Sequence, residues 1–505
     1  MSTRDDHYYI TTPIYYVNAA AHIGHAYTSI AADVMARFQR LVGLQVNFLT
    51  GTDEHGQKIA RAAEAKNVGP QTFVDEVSQT FRDLHAGLNV SVTDFIRTSE
   101  PRHIKGAQKF WEAAAARGDI YKKSYEGLYC VNCEQFYIEK DLDEGGLCPI
   151  HRKAPELLSE ENYFFRLSKY TDAIKKYFDA HPNFVFPHNR QKEMQQILDD
   201  GLEDISISRD AKKLSWGIPV PGDDAQVMYV WFDALTNYVT AIGYGDADEK
   251  MFDAWWPANA HVMAKEINRF HSLLWPAMLM SAGLALPKQI VVHGWLTVDG
   301  QKMSKSIGNV VNPIDVIEKY GIDAFRFFLF REMPFGADGD FSNLKLEQRY
   351  RSDLGNDLGN LLMRTIAMSE KFCDGRVPLE TTGDHQEFWD RYREHMSRWE
   401  FQRALEIIWD YVRGLNQLID REKPWTAHKE GRSEDVARTL YTLLEGLRQI
   451  AIAVQPFMPA TSEKMLEALG FDFFDPKFDN LMEWGLLKSG GPLTPAPPLF
   501  PQLTV

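Results

Sequence analysis

Hydrophobic and polar positions along this chain change period twice, and the changes mark out its organisation. From Tyr8 to Tyr16 the residues are mostly β-branched or aromatic, as in a buried strand. From Ala26 onward Ile30, Val34, Phe38 and Leu41 recur at helical spacing until Gly43 ends the run. Val46 to Thr50 then makes a short apolar strand, followed by Gly51-Thr52-Asp53-Glu54-His55-Gly56. A strand–helix–strand unit with polar residues at the strand ends predicts a parallel α/β sheet that binds its ligand there. Helical patterns continue to about Gly118. Between Gly118 and Val230 the pattern is irregular, which suggests an insertion. The α/β pattern resumes with Met228 to Phe232, a helix through Phe270 to Leu279, and a strand from Gln289 to Val292. From about Leu344 the sequence reads as helical, apart from a Pro-rich tail at Gly491 to Pro501.

Composition narrows the class. At 505 residues the chain is too long for one core. Its apolar share of 44% and charged share of 25% are those of an ordinary globular protein. A net charge of −15 argues against a general polyanion binder, although a local positive patch could still hold a nucleic acid. No apolar run approaches the roughly 20 residues of a membrane span. The polar, acidic start has no leader pattern, and four cysteines form no disulfide framework, so the expected compartment is the cytoplasm.

Two motifs carry phosphate chemistry. His22-Ile23-Gly24-His25 falls where the first strand gives way to the first helix, and helix N-termini offer N–H groups to anions. Gly24 leaves room for a flat base against the backbone. Lys302-Met303-Ser304-Lys305-Ser306 lies between Gly300 and Gly308, where two ammonium groups suit the outer phosphates of ATP. A third motif is metallic. Cys130, Cys133, Cys148 and His151 form C-x2-C-x14-C-x2-H, the spacing of a closed tetrahedral zinc site with a structural role. Cys373 is left over, and a lone cysteine in a helical segment reads as buried and inert.

The two phosphate motifs, in this order around a split α/β domain, resemble class I aminoacyl-tRNA synthetases. Three aromatic segments narrow this: Pro13-Ile14-Tyr15-Tyr16-Val17-Asn18, Val230 to Tyr238, and Ile267 to Trp275. Over nearly the whole chain these resemble the methionyl-tRNA synthetase family. The resemblance implies a Rossmann-like parallel-sheet catalytic domain split by a zinc-bearing insertion, then an α-helical bundle that binds the anticodon. The expected boundaries are 1–118 and 230–298 for the catalytic halves, 119–229 for the insertion, 299–345 for the lysine loop and connection, and 346–505 for the bundle.

It implies site residues as well. Ile14, Tyr16, Trp231, Ala234, Leu235, Tyr238, Ile267 and His271 would line a pocket for L-methionine, with Asp53 on its ammonium. A thioether packs well against aromatic edges. Arg209, in the insertion, is a further candidate. His22, Gly24, His25, Lys302, Ser304 and Lys305 would hold ATP, with Mg2+ on its phosphates. Glu266 would face the ribose, although this chain has Ala264-Lys265-Glu266 where the family usually has Gly-Lys-Asp. In the bundle, Asn360 and Arg364 would read the tRNA anticodon and Trp425 would stack on one of its bases. Gly355 and Gly359, beside the row Asn356, Asn360 and Arg364, would let a neighbour approach. Without the dimerisation domain of some relatives, a monomer is expected. A small-molecule adenylyltransferase with the first motif would lack the helical half, and a catalytically silent relative would have lost a histidine or lysine from the motifs.

Overall fold

The structure, a computed structural model, describes every residue except 1–5, 18–21, 132–134, 138, 151, 303–310, 384, 474–480, 496 and 504–505. The chain falls into two units. One comprises residues 1–21, 44–86 and 90–293; the other comprises 22–43, 87–89 and 294–505.

The first unit is organised by a seven-stranded sheet. Its order is Tyr15–Tyr16, Gln45–Asp53, His7–Thr11, Ala260–Ala264, Ile290–His293 and Val185–Phe186, with Asp94–Arg97 also pairing to Gln45–Asp53. Every pairing is parallel. Parallel strands buried on both faces tolerate near-continuous apolar sequence, and Tyr9, Ile10, Phe48, Val262, Met263 and Val291 are fully buried. The sequence pattern anticipates strands at Tyr8–Tyr16, Val46–Thr50 and Gln289–Val292; the structure splits the first into His7–Thr11 and Tyr15–Tyr16 and has the others at Gln45–Asp53 and Ile290–His293. The pattern does not reveal Ala260–Ala264, a five-residue strand interrupted by His261. That histidine is satisfied internally: Trp275 Nε1 donates to its Nε2 (3.3 Å), which leaves the proton on Nδ1 to donate to Thr11 Oγ1 (2.7 Å).

Within the irregular stretch, Ile120–Cys130 pairs antiparallel with both Glu156–Phe165 and Gln135–Tyr137. Ser208–Asp210 and Pro219–Val220 flank Asp223–Met228 in a second small sheet. One segment of this stretch joins the main sheet, since Val185–Phe186 pairs with Ile290–Val291.

In the second unit, helix Ile23–Leu41 is accompanied by a hairpin (Leu296–Val298 with Gln301–Lys302) and a run of helices that includes Ile322–Glu332, Phe401–Glu422, Ser433–Val454 and Pro459–Ala468. The start of the stretch that reads as helical from about Leu344 is wound in three parts: α over Asn343–Arg349, π over Tyr350–Gly359, and α again over Asn360–Phe372. Two glycines, Gly355 and Gly359, fall within the π part. A Cβ on Gly355 would lie 3.4 Å from the Tyr350 carbonyl oxygen, and one on Gly359 would lie 3.2 Å from that of Leu354. Both contacts are to residue i−5, the carbonyl that a π turn brings in. The first distance is ordinary contact and the second is tight, so Gly359 is where the winding itself favours a residue without a side chain.

Arg326 is the node of this unit. Its guanidinium is fully buried and donates to Asp33 Oδ2 (2.6 Å) on the first helix. It also donates to the carbonyls of Leu88, Asn89, Pro456 and Phe457. Burial pulls the guanidinium below its usual pKa, and Asp33 opposes that. Removing one member of a buried pair strands the other charge. Asp33→Asn should therefore lower the unfolding free energy by about 3–5 kcal/mol. Urea denaturation of the variant against the native chain measures this, and a loss below about 1 kcal/mol would mean the carbonyls alone satisfy Arg326.

Candidate active site

In the first unit, the carboxyl ends of the parallel strands carry several of the residues that sequence reasoning singled out. Tyr16 ends its strand in register with Asp53, which ends the next. Ile14 precedes Tyr16, and the Tyr16 hydroxyl donates to the His55 carbonyl (3.2 Å). Beyond Ala260–Ala264 come a tight turn at Lys265–Ile267 and a π turn at Phe270–Leu274. Two short helices, Val230–Leu235 and Asn237–Thr240, carry Trp231, Ala234, Leu235 and Tyr238. Ala234, Leu235, Tyr238 and His271 are buried. Ile14, Trp231 and Ile267 pack against the core cluster that contains Leu235 and Tyr238. Trp231 lies flat on Phe270, with ring centroids 3.8 Å apart and 6° between planes. Sequence reasoning did not single out Phe270, although its place one residue before His271 was a signal.

The polar groups of this pocket are neutral. His271 Nδ1 meets the Ile267 carbonyl (3.0 Å) and so must donate; Nε2 is then the acceptor for the Tyr238 hydroxyl (2.7 Å). Burial holds the His271 pKa down at about 4, against the opposing bond to Ile267. Burial also raises the Tyr238 phenol. A pocket with neutral polar groups, an indole and aliphatic walls suits an uncharged side chain of medium length. Asp53, nearly buried at the strand end, suits the ammonium of an amino acid.

Arg209 is buried with its guanidinium over the rings of Tyr129 (4.2 Å) and Tyr229 (5.1 Å). Those two tyrosines and Val230 form a small cluster against which Tyr16 and Trp231 pack. The irregular stretch thus reaches the pocket through aromatic residues that carried no sequence signal of their own. Glu266 is exposed in the turn after the strand.

In the second unit, His22 is the N-cap of helix Ile23–Leu41. Its Nδ1 accepts from the Gly24 N–H (3.1 Å), while His25 Nδ1 accepts from the His22 N–H (3.2 Å). The rings stack at 3.9 Å. This is a capping box built from imidazoles where Ser and Glu are usual. With both Nδ1 atoms accepting, a neutral ring carries its proton on Nε2 and is a donor there. A Cβ on Gly24 would lie 3.0 Å from the His22 ring, so this position must stay small for the cap to form.

Gln301–Lys302 returns from Leu296–Val298 through a two-residue turn, with Asp299 and Gly300 both at positive φ. Asp340 Oδ1 fixes that turn by accepting from Gly300 N and Thr297 Oγ1, each at 2.7 Å. The side chain of Lys302, and all of Ser304 and Lys305, lie outside the described residues. So do Cys133 and His151. The other two proposed metal ligands, Cys130 and Cys148, are buried in one small cluster with Tyr137. Among the described residues no group of three possible ligands converges.

Asn360 is exposed at the start of the last α segment, and Arg364 one turn on contacts Asp420 Oδ1 at 3.4 Å. Trp425, on Pro424–Lys429, is 39% exposed, high for an indole. Cys373 is half-buried, and burial raises its thiol.

The family model described as "tRNA synthetases class I (M)" matches residues 8–154 and 141–366, and that of the "Anticodon-binding domain of tRNA ligase" matches 384–481. The methionine–tRNA ligase of Thermotoga maritima is 46% identical over 508 residues, covering 98% of this chain and 80% of the relative. That of Thermosynechococcus vestitus is 44% identical over 522 residues, covering 98% of each. The solved structure of Mycobacterium tuberculosis methionyl-tRNA synthetase with methionyl-adenylate superposes with a TM-score of 0.93 at 40% identity, covering 98% of this chain and all of that one. This chain is a class I aminoacyl-tRNA synthetase and belongs to the methionyl-tRNA synthetase family.

The neutral state of His271 has a consequence for stability. Its folded pKa lies below the unfolded value of 6.5, so the unfolded chain binds the extra proton between about pH 6.5 and 4. Its contribution is complete above that window and is lost as pH falls through it, by about 3 kcal/mol in all. Native stability measured against His271→Asn should therefore converge with the variant's between pH 7 and 4. A constant difference would show that the imidazole is not held neutral.

Proposed function

We infer that this chain is a methionine–tRNA ligase. It forms methionyl-adenylate from methionine and ATP, then transfers the methionyl group to the terminal adenosine of tRNA. The observation that carries the pocket assignment is the neutral Tyr238–His271 pair beside the Trp231–Phe270 stack, at the same strand ends as Asp53. In this reading Ile14, Tyr16, Trp231, Ala234, Leu235, Tyr238, Ile267 and His271 enclose the thioether and Asp53 takes the ammonium. Arg209 braces the pocket from the insertion.

In the first step a methionine carboxylate oxygen attacks the α-phosphorus of ATP, and the bond to pyrophosphate breaks. The Nε2–H groups of His22 and His25 and the helix N-terminus stabilise the crowded α-phosphate. Lys302, Ser304 and Lys305 hold the departing pyrophosphate, and Glu266 accepts from the ribose hydroxyls. Mg2+ bound with ATP supplies charge neutralisation on the phosphates. In the second step a ribose hydroxyl of the tRNA attacks the methionyl carbonyl, and AMP leaves. Asn360 and Arg364 read the anticodon while Trp425 stacks on one of its bases. The exposure of Trp425 supports that role.

Zinc belongs to the same proposal. Cys130 and Cys148, buried in one cluster, fit two thiolate ligands of a structural site completed by Cys133 and His151. The proposed boundaries remain 1–118, 119–229, 230–298, 299–345 and 346–505. We also propose a cytoplasmic monomer; among the described residues no helix is long and apolar enough to cross a membrane.

Two measurements test the assignments. His22→Ala and Lys305→Ala should each slow methionine-dependent pyrophosphate exchange by about 100- to 1,000-fold while methionine affinity holds, because each donor meets charge that peaks in the transition state. Equal losses in rate and affinity would remove them from the chemistry. Trp425→Ala should cost tRNA charging roughly 5- to 150-fold, the worth of one base stack, and leave exchange near native. Normal charging by that variant would take Trp425 out of the reading surface.

A further inference from the structure

Asp233 lies inside the pocket segment, yet none of the assigned roles uses it. Its carboxylate is fully buried. Oδ2 accepts from His55 Nδ1 and Oδ1 from His103 Nε2, each at 2.7 Å. Burial alone would raise its pKa, but the two imidazoles outweigh burial and hold it below the usual carboxylate range. The other nitrogen of His103, Nδ1, meets Thr240 Oγ1 at 2.8 Å. The network thus draws on three parts of the unit: the end of strand Gln45–Asp53, the helix Pro101–Ala116, and the two short helices that carry Trp231 to Tyr238.

Packing around it leaves little slack. A Cβ on Gly106 would come within 2.4 Å of Thr240 Cγ2, and one on Gly245 within 2.8 Å of the Gly106 Cα. His55 is the hinge of the arrangement. Its ring holds Asp233, its carbonyl accepts the Tyr16 hydroxyl, and it follows Asp53 by two residues. Stability alone is a poor reason for such a cluster, since a buried carboxylate must first be stripped of water and apolar side chains of equal volume hold a core as well. What charged hydrogen bonds add is direction, because each fixes a donor against one oxygen of the carboxylate.

We propose that Asp233, through His55 and His103, is a positioning residue that sets the distance between the side-chain wall of the pocket and the ammonium site at Asp53. The network acts as a length gauge for the amino acid. This rests on the methionine-pocket reading given above. Loss of the gauge should weaken the correct side chain more than a longer one, because the wall would no longer stop at the methyl of the thioether.

The test is steady-state pyrophosphate exchange on the full chain with methionine and with ethionine, its homologue longer by one methylene. His103→Ala should raise the methionine KM about tenfold, as expected for a lost hydrogen bond to a charged group. The KM for ATP should stay within about twofold, and preference for methionine over ethionine should fall about threefold or more, a part of what one methylene is worth. His103→Gln, which keeps an N–H donor, should recover most of both. Thr240→Val keeps the volume and removes the outer hydrogen bond, so it should move methionine KM and preference in the same direction by less. It also keeps the proposal open to refutation if His103→Ala fails to fold. Parallel changes in both KM values, or an unchanged preference in variants that fold, would reduce the network to packing. Native chain without methionine-dependent exchange would overturn the pocket itself, whereas native exchange with unshifted variants would overturn only the gauge.

Discussion

Parallel strands cannot be joined by tight turns, so each crossing carries the chain over a face of the sheet and returns it to the same edge. The carboxyl ends of all the strands are therefore collected on one side, with the loops that leave them. In the first unit that constraint gathers Tyr16, Asp53 and the Lys265–Ile267 turn from positions far apart in sequence. The sheet interior supplies the rigidity. His7–Thr11 is hydrogen-bonded on both sides, and Tyr9 reaches across to the Tyr238 carbonyl at 2.8 Å. The pocket at these strand ends is thus a rim feature of a sheet whose centre cannot move without breaking ladder hydrogen bonds.

Each unit also has a completely buried charged side chain that gathers distant segments around fixed partners. Asp233 in the first takes two imidazoles. Arg326 in the second takes one carboxylate and four carbonyls. In both, the charged group joins segments that are distant in sequence, which gives the buried charge a part in specifying the fold beyond any contribution to its stability. The pocket itself is the contrast. His271 is surrounded so as to stay uncharged, which suits the proposed thioether pocket.

How much of this could be read from sequence varied with the kind of signal. The strong periods of Ile23–Leu41 and of the helical half, and the β-branched run at the first strand, were visible because they repeat. Ala260–Ala264 was not, because a five-residue strand with a histidine inside has neither a period nor a continuous apolar run. The proposed phosphate and pocket residues came through resemblance, since motif order and spacing survive where pattern alone is ambiguous. The role of Asp233 was hidden for a different reason. Its partners lie 178 and 130 residues away, and only the folded chain brings them together. The π turns at Phe270–Leu274 and Tyr350–Gly359 were hidden likewise, because hydrophobic periodicity cannot distinguish them from α winding over so few residues.

The long π segment works as a setting of angle. An α-helix turns through about 100° per residue, and a π-helix through less, so ten residues of the wider coil decide which way the next helix faces. Asn360 and Arg364, the proposed anticodon readers, stand immediately after it. Their aim is therefore set upstream, by the winding of Tyr350–Gly359, which need touch no nucleotide to matter. Shortening the segment by one residue would leave both readers chemically intact and swing them around the helix axis, like a key turned in the wrong direction before it meets the lock.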